Sequence, residues 1–350
     1  MFVDVRVDIL RLVQTLGNEE TMSMKYAACL VAGLVIGFAG CCRQAPQASV
    51  SGAPDRSTQL YIEVSALGGL DYFYDHKMGM EQAGKALGVR TEYIGPADYD
   101  MAAMIAVFEQ AIARKPKGIV VVGFEPSLSA IVDKAVEAGI PVVAVDGDLP
   151  GSKRCAFIGT GNEQAGYQGG KRLASLIGGK GKIALMTKPG QSNLEERMAG
   201  YRRALAETPD VSIVQVADTQ SDPNMAAQAA ATLLQKYPDL AGIGCVEAAG
   251  GMGAAMAVRE AKKTGIVKIV AMDRGNDLLE QIKEGVVSAS IAQQTALMPF
   301  YAMHILYDLV NNPLPISTDN AKAGVAGVPQ FVDTGVIIID QNNCQYFVRK

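Results

Sequence analysis

Two carboxylates follow a short apolar segment near the middle of the chain. Residues 142–145 are Val-Val-Ala-Val, and Asp146 and Asp148 come directly after them. A run without polar residues is typical of a strand that is covered on both faces of a parallel sheet. Ligands of open α/β sheets bind beyond the carboxyl ends of the strands. Asp146 and Asp148 are therefore candidate ligand-binding residues.

The elements that must position these carboxylates follow a regular alternation from Leu60 onwards. Short apolar runs alternate with amphipathic stretches of about a dozen residues, which is typical of βαβ units and a parallel sheet. We predict two similar halves of five strands each, the second beginning at Asn162. A helix over residues 295–309 and a strand-rich tail, VDTGVIIID, must then pack back onto these sheets. The chain therefore crosses between two lobes more than once, which makes a hinge.

Composition excludes several classes of function. The chain has 350 residues, 49% of them hydrophobic, and a formal net charge of -4, so a nucleic-acid partner is disfavoured because phosphates need concentrated positive charge. Six Cys without CxxC spacing and only two His disfavour a zinc site. No GxGxxG follows a strand and no nucleophile elbow is present, so we expect no cofactor, no metal and no enzyme activity.

The amino terminus has the layout of an export signal. Lys25 precedes an apolar run over residues 26–40 that closes in small residues before Cys41. The alternative, a transmembrane anchor, needs about 20 apolar residues. We predict a signal peptide over residues 1–40, with Met22 and Met24 as alternative translation starts, and a Ser-, Ala- and Pro-rich tether over residues 41–58. Phe38 to Cys41 resembles a bacterial lipobox with Phe in place of Leu, which would make Cys41 the lipidated residue.

The folded part resembles the sugar-binding periplasmic proteins of ABC transporters, of the ribose- and galactose-binding type, and more closely their rhamnose- and autoinducer-2-binding relatives. The resemblance is carried by GMEQAGKALGVRTEYIGP, AIARKPKGIVVVGFEPS, AVEAGIPVVAVDGD, RMAGYRRAL, KIVAMDRGND, SASIAQQTALM and VDTGVIIIDQNN. It implies two Rossmann-like α/β lobes joined by three crossovers, near residues 159–162, just after Gln293, and near residues 324–330. The N-terminal lobe would comprise residues 59–161 and 294–325, and the C-terminal lobe residues 162–293 and 326–350.

The resemblance also implies a ligand site between the lobes. Its candidate residues are Tyr72, Phe73, Asp146, Glu195, Arg197, Glu247, Asp273 and Gln293. The aromatic pair would pack on the sugar face, the two strand-end aspartates would accept hydrogen bonds from hydroxyls, and the glutamine would stand at the second crossover. Each position also has a plainer explanation, namely a helix core face, a turn aspartate, a helix cap and a satisfied hinge amide.

Three positions differ from the ribose-binding pattern, and these differences affect which ligand is expected. Gly147 and Glu195 stand where that pattern has arginines, and Glu247 replaces an asparagine. The site is therefore expected to be more acidic than a ribose site, although Arg274, Arg197 or Lys188 could offset the carboxylates. Uncompensated carboxylates in a closed cleft would repel each other and raise one pKa. We expect a different sugar, a sugar alcohol or an amine-bearing ligand rather than ribose.

The resulting expectation is a monomeric, lipid-anchored solute-binding protein outside the cytoplasm. It would capture a sugar or polyol between its lobes and present it to an ABC permease. The alternative is a ligand sensor of the same fold that docks on a membrane receptor, such as a histidine kinase, without transport. The sequence does not separate these two functions.

Overall fold

The computed structural model describes residues 55–68 and 71–349. The predicted signal peptide, Cys41 and most of the predicted tether lie outside these residues. The described chain forms two sheets of six strands, each flanked by helices. The predicted α/β fold with two lobes is confirmed.

The first sheet is entirely parallel, and its strands run in the spatial order β11-β5-β4-β3-β1-β2. Its strands are β1 (Leu60–Val64), β2 (Arg90–Ile94), β3 (Gly118–Val122), β4 (Val142–Val145), β5 (Ala156–Gly159) and β11 (Phe331–Asp333). β3 and β4 are buried at every residue, which explains their uninterrupted apolar sequence, because a central parallel strand is covered on both faces.

The second sheet has the order β12-β10-β9-β8-β6-β7. Its strands are β6 (Gly181–Thr187), β7 (Val211–Asp218), β8 (Leu240–Cys245), β9 (Lys268–Met272), β10 (Ala289–Gln293) and β12 (Val336–Ile339). Only β12 is antiparallel among the described strands of this sheet, where it pairs with β10. The first five strands of each sheet thus have the same spatial order, so the two lobes repeat one topology.

The helices of the first lobe are α1 (Tyr74–Leu87), α2 (Met101–Ala113), α3 (Ser129–Glu137) and α9 (Leu297–Asn311). Those of the second lobe are α4 (Asn162–Leu176), α5 (Ser192–Ala206), α6 (Pro223–Lys236), α7 (Ala248–Glu260) and α8 (Asn276–Lys283). Although α9 follows β10 in the chain, its buried side chains belong to the core of the first sheet. The chain therefore returns to the first lobe after Gln293.

The strand-rich tail is divided between the lobes. β11 pairs with β5 of the first sheet, whereas β12 pairs with β10 of the second. The third crossover therefore lies between Asp333 and Val336, later than the predicted residues 324–330, and β11 does not belong to the C-terminal lobe. Gly335, with a φ of 68°, breaks what looks like one continuous strand in the sequence, because glycine adopts this left-handed conformation without steric cost.

The three crossovers are tied to one another by hydrogen bonds. The carboxylate of Asp333 accepts from the backbone N–H of Gly161 at 2.7 Å and from that of Gly335 at 2.8 Å. Gln294 Nε2 donates to the carbonyl of Thr334 at 2.5 Å. The hinge is therefore a compact bundle of three segments.

Candidate functional site

An aspartate with the same local structure ends the fourth strand of each half. Asp146 follows β4 and Asp273 follows β9, and both have left-handed backbones, with φ of 65° and 70°. The N–H of Asp146 donates to the carbonyl of Ile158 in β5 at 3.1 Å, and that of Asp273 donates to Ile291 in β10 at 3.0 Å. Such backbones are uncommon outside glycine but are tolerated by aspartate and asparagine. The two lobes therefore present one carboxylate each through the same construction.

A chain of polar side chains joins these two carboxylates across the lobes. The hydroxyl of Tyr72 lies 3.0 Å from Oδ2 and 3.1 Å from Oδ1 of Asp146, to which it donates. Gln293 Nε2 donates to Asp273 Oδ1 at 3.0 Å and to the Tyr72 hydroxyl at 3.3 Å. We call Asp146, Tyr72, Gln293 and Asp273 the polar chain. Its hydrogen bonds run without a gap from Asp146 at the edge of the first sheet to Asp273 at the edge of the second.

Gln293 uses its full hydrogen-bonding capacity. Besides its two donated bonds, its Oε1 accepts from Thr160 Oγ1 at 2.9 Å and from Arg197 Nη2 at 3.0 Å. An amide side chain has two N–H donors and two acceptor lone pairs, so all four are occupied. The side chain is buried at the second crossover and is held in one orientation. Thr160, at the first crossover, was not predicted from the sequence.

Arg197 is fixed by three different partners. It extends from α5, is only 5% exposed, and donates through Nε to Asn162 Oδ1 at 2.9 Å and through Nη1 to the carbonyl of Val246 at 3.0 Å, in addition to Gln293. A planar guanidinium with several fixed partners keeps its geometry well. Close packing of α4 on α5 supports this position, because a Cβ at Gly166 would lie 1.9 Å from the carbonyl oxygen of Arg197.

Burial and neighbouring charges set the ionisation of the polar chain. Burial raises the pKa of Asp146, while His76, the Tyr72 hydroxyl and Arg197 oppose this rise and Asp273 adds to it. Burial, together with the charges of Asp146 and Asp273, raises the pKa of the Tyr72 phenol well above its usual range. The phenol therefore keeps its proton and remains a donor to Asp146.

A second cross-lobe cluster lies at Asp75 on α1. Its Oδ2 accepts from Thr295 Oγ1 at 2.7 Å, from Arg349 Nη2 at 2.8 Å, and from Arg274 Nη2. Arg274 follows β9, and Arg349 is anchored to Asn276 at the start of α8 by two hydrogen bonds of 3.0 Å, so both arginines belong to the second lobe. We call this cluster the Asp75 latch. These ion pairs hold the pKa of Asp75 below its usual value although burial opposes that effect.

The remaining predicted residues, Phe73, Glu195 and Glu247, make no hydrogen bond to the polar chain in the described part of the protein. Phe73 is 2% exposed and lies in the first core, with its ring 5.1 Å from Tyr72 in an edge contact. Glu247 caps α7 by accepting from the N–H groups of Ala249 and Gly250, both at 2.8 Å. Glu195 is exposed and accepts from the N–H of Gly190 at 3.3 Å. Neither Glu195 nor Glu247 therefore adds a hydrogen-bonded carboxylate to the polar chain.

Several residues of the site had no signal in the sequence. Asp75, Thr295 and Arg349 are brought together by contacts that span 220 and 274 residues. Asn162 and Thr160 lie at the first crossover but carry no motif of their own.

Within the described part of the chain, no group of three or more His, Cys, Asp or Glu could hold a metal ion. None of the helices in that part is long and apolar enough to cross a membrane.

Two lobes that share one set of polar side chains around a three-segment hinge define a protein that closes on a ligand. Comparison with known proteins agrees with this class. A family model described as a periplasmic binding protein domain matches residues 64–313. The chain belongs to the periplasmic binding protein family, whose members bind solutes and are not enzymes.

Individual relatives are similar over most of their length. The structure of AraP, an arabinose binding protein from Geobacillus stearothermophilus, is 36% identical, with a TM-score of 0.79, and the match covers 83% of this chain and 100% of AraP. The D-allose-binding periplasmic protein of Escherichia coli is 27% identical over 285 residues, which is 77% of this chain and 88% of the relative. A structure of a XylFII-LytSN complex is 27% identical, with a TM-score of 0.65, and covers 82% and 99% of the two chains.

Proposed function

We propose that this protein is an exported solute-binding lipoprotein that captures a sugar or sugar alcohol between its lobes and delivers it to an ABC permease. The observation that carries the proposal is the polar chain, in which Asp146 of one lobe and Asp273 of the other are joined through Tyr72 and Gln293. Vicinal hydroxyls can replace these contacts, because each hydroxyl both donates and accepts. The similarity to arabinose- and allose-binding proteins supports the same ligand class.

A neutral ligand fits the polar chain better than an amine. The acidic departures at Glu195 and Glu247 suggested an amine-bearing ligand, but the first is exposed and the second caps a helix. The two remaining carboxylates, Asp146 and Asp273, are accompanied by the buried guanidinium of Arg197. Hydroxyl groups would complete this set without introducing an uncompensated charge.

Closure follows from contacts with both lobes. A ligand that bonds to Asp146 and Asp273 together interacts more strongly with the closed state than with the open one, and it shifts the equilibrium by that difference. The closed protein is then the form that a permease would recognise. No chemical step is required of any residue in the site.

Binding is tested by calorimetry and thermal shift with arabinose, D-allose, D-ribose and xylitol. A ligand bound only by the native state stabilises it by about 2.7 kcal/mol at 100 times Kd. Asp146→Asn and Asp273→Asn should each weaken binding by about tenfold or more, since a hydrogen bond to a charged group contributes about 1.5–3 kcal/mol. Asp148→Asn is the matched control, because Asp148 lies on the same turn but pairs with Arg154 at 2.5 Å. Equal affinities in all three variants would contradict the site.

Lipid anchoring is proposed from the sequence alone. Cys41 lies outside the described residues, and its role rests on the lipobox-like segment before it. Expression in a bacterial host with a labelled fatty acid should label the wild-type protein and not Cys41→Ser. An unlabelled wild-type protein would remove the anchor from the proposal and leave ligand binding unaffected.

The second candidate function is sensing by docking on a membrane receptor. It is favoured by one observation, namely that the similar protein XylFII is found in a complex with LytSN. Deletion of the gene separates the two functions, since loss of sugar uptake indicates transport. Normal uptake combined with a lost transcriptional response to the sugar indicates sensing.

A further inference from the structure

A fully buried histidine and carboxylate lie in hydrogen-bond contact behind the polar chain in the first lobe. Glu63 on β1 and His76 on α1 are both 0% exposed, and His76 Nδ1 lies 2.7 Å from Glu63 Oε1. Burying a charged pair is costly, and it does not by itself add much stability compared with apolar residues of the same size. A pair at this position therefore calls for an explanation other than core stability.

The other side of the imidazole faces the ligand site. His76 Nε2 lies 3.9 Å from Asp146 Oδ2, and Nε2 has no hydrogen-bond partner among the described residues. The imidazole thus stands between two carboxylates, one in the core and one at the end of β4. The rings of Phe73 and Tyr72, with centroids 5.2 Å and 6.2 Å away, confine it laterally.

The charged surroundings of His76 favour its protonated form. Charged and polar groups surround the pair and its carboxylate neighbours on several elements. Those of the first lobe are Glu63 on β1, Tyr93 on β2, Tyr72 in the turn before α1, Asp75 on α1, Asp146 after β4 and Thr295 before α9. Those of the second lobe are Arg197 and Asp273. Burial lowers the pKa of His76, but Glu63 through its charge and hydrogen bond, followed by Asp146 and Asp75, raises it above the usual value.

We propose that Glu63 and His76 are positioning residues for ligand binding, in which an imidazolium held by Glu63 keeps the buried carboxylate of Asp146 ionised and correctly oriented for ligand hydroxyls. This inference rests on the proposed function, because it assigns a role toward the ligand that Asp146 would bind. It differs from a packing role in that the effect depends on the charge of His76 and not on its volume.

The sign of the pH dependence follows from this arrangement. The pKa of His76 is raised in the folded protein, so its positive charge is complete below the usual histidine range and is lost as the pH rises through the raised value. Affinity should therefore fall on the alkaline side as His76 loses its proton. It should also fall on the acid side as Asp146 gains one, and without the His76 charge this acid limb should move to higher pH, because His76 opposes the raised pKa of Asp146.

Nuclear magnetic resonance of labelled histidine tests the charge directly. The sequence has two histidines, His76 and His304, so a His304→Gln variant assigns the spectrum. We expect His76 to stay protonated above the usual range in the free protein, and its pKa to fall in Asp146→Asn and in Glu63→Gln. The same His76 titration in wild type and both variants would overturn the proposal, and this measurement needs no ligand.

Calorimetry over pH tests the consequence for binding, with the sugar that gives the lowest Kd among arabinose, D-allose, D-ribose and xylitol. His76→Gln should weaken binding at neutral pH by about tenfold, because the opposite charge beside Asp146 is lost, and should remove the alkaline limb. If this variant does not fold, Glu63→Gln serves in its place. If the wild type binds none of the four sugars, the proposed function is contradicted. If the wild type binds a sugar and the variant binds it with the same affinity and the same pH profile, this inference alone is overturned.

Discussion

Replacing Asp75 with asparagine should weaken ligand binding although Asp75 does not belong to the polar chain. The Asp75 latch joins a carboxylate of the first lobe to Arg274 and Arg349 of the second. These bonds join the two lobes, so we expect them to stabilise the closed state more than an open one. Asparagine has almost the same shape and still accepts hydrogen bonds, but it does not balance the two guanidinium charges.

The magnitude follows from the exposure of the partners. Removing one member of a buried ion pair costs about 3–5 kcal/mol. The Asp75 side chain is 2% exposed, but the arginine side chains are 19% and 17% exposed, so water screens part of the interaction. We therefore expect a loss of about 1–3 kcal/mol from the closed state, which corresponds to an apparent Kd about 5- to 150-fold higher.

The assay is calorimetry with the best-bound sugar, combined with small-angle scattering of the free protein. Asp75→Asn should raise Kd and shift the free protein toward a more open average shape. Asp340→Asn is the matched control, since Asp340 pairs with Arg172 at 2.8 Å within the second lobe. The reasoning is refuted if the two variants have the same Kd, or if Asp75→Asn weakens binding without changing the scattering of the free protein.

Three further outcomes follow from the structure. The pKa of Asp75 is lowered, so the free energy by which the latch favours the closed state should be constant near neutral pH. It should be lost only as the pH falls below the usual aspartate range, which small-angle scattering of the free protein over pH would show. Gly166→Ala should destabilise the protein by about 1–3 kcal/mol in urea denaturation and should also weaken sugar binding, because the new methyl group would displace the Arg197 backbone. Gly151→Ala is the control and should be neutral, because a Cβ at Gly151 would have no neighbouring atom within 4 Å. Asp273→Ala should be about 1 kcal/mol less stable than Asp273→Asn in the same assay, since alanine is strained at a φ of 70° and asparagine is not, and equal stabilities would contradict that strain.

The fold could be predicted because its signals are local. A central parallel strand such as β4 must be apolar on both faces, and this leaves an uninterrupted run that marks both the strand and the sheet edge where Asp146 stands. The tail was harder, because VDTGVIIID has the composition of one strand. Its division depends on a single backbone conformation at Gly335 and on the pairing of its first part with β5, more than a hundred residues away, and of its second part with β10.

The candidate site was only partly accessible to the same reasoning. Glu247 could have been assigned differently, since the helix dipole favours a carboxylate at a helix N-terminus, and the structure shows that role. The Asp75 latch could not have been found, because no pattern near Asp75 indicates which arginines will meet it. Nothing in the sequence around His76 indicates a partner, and only the fold places Glu63 and Asp146 on its two sides.

The saturated hydrogen bonds of Gln293 make ligand binding an exchange. The phenol of Tyr72 donates to Asp146 and accepts from Gln293, so it already occupies these two groups as a sugar hydroxyl would. A ligand that uses Asp146 and Gln293 must compete with this phenol, and its affinity is the difference between the bonds it forms and those it displaces. Molecules with a single well-placed hydroxyl gain little from such an exchange, whereas a polyol that replaces several contacts at once gains more. Under the proposed function, we therefore expect the site to favour polyhydroxylated ligands over molecules with a single hydroxyl.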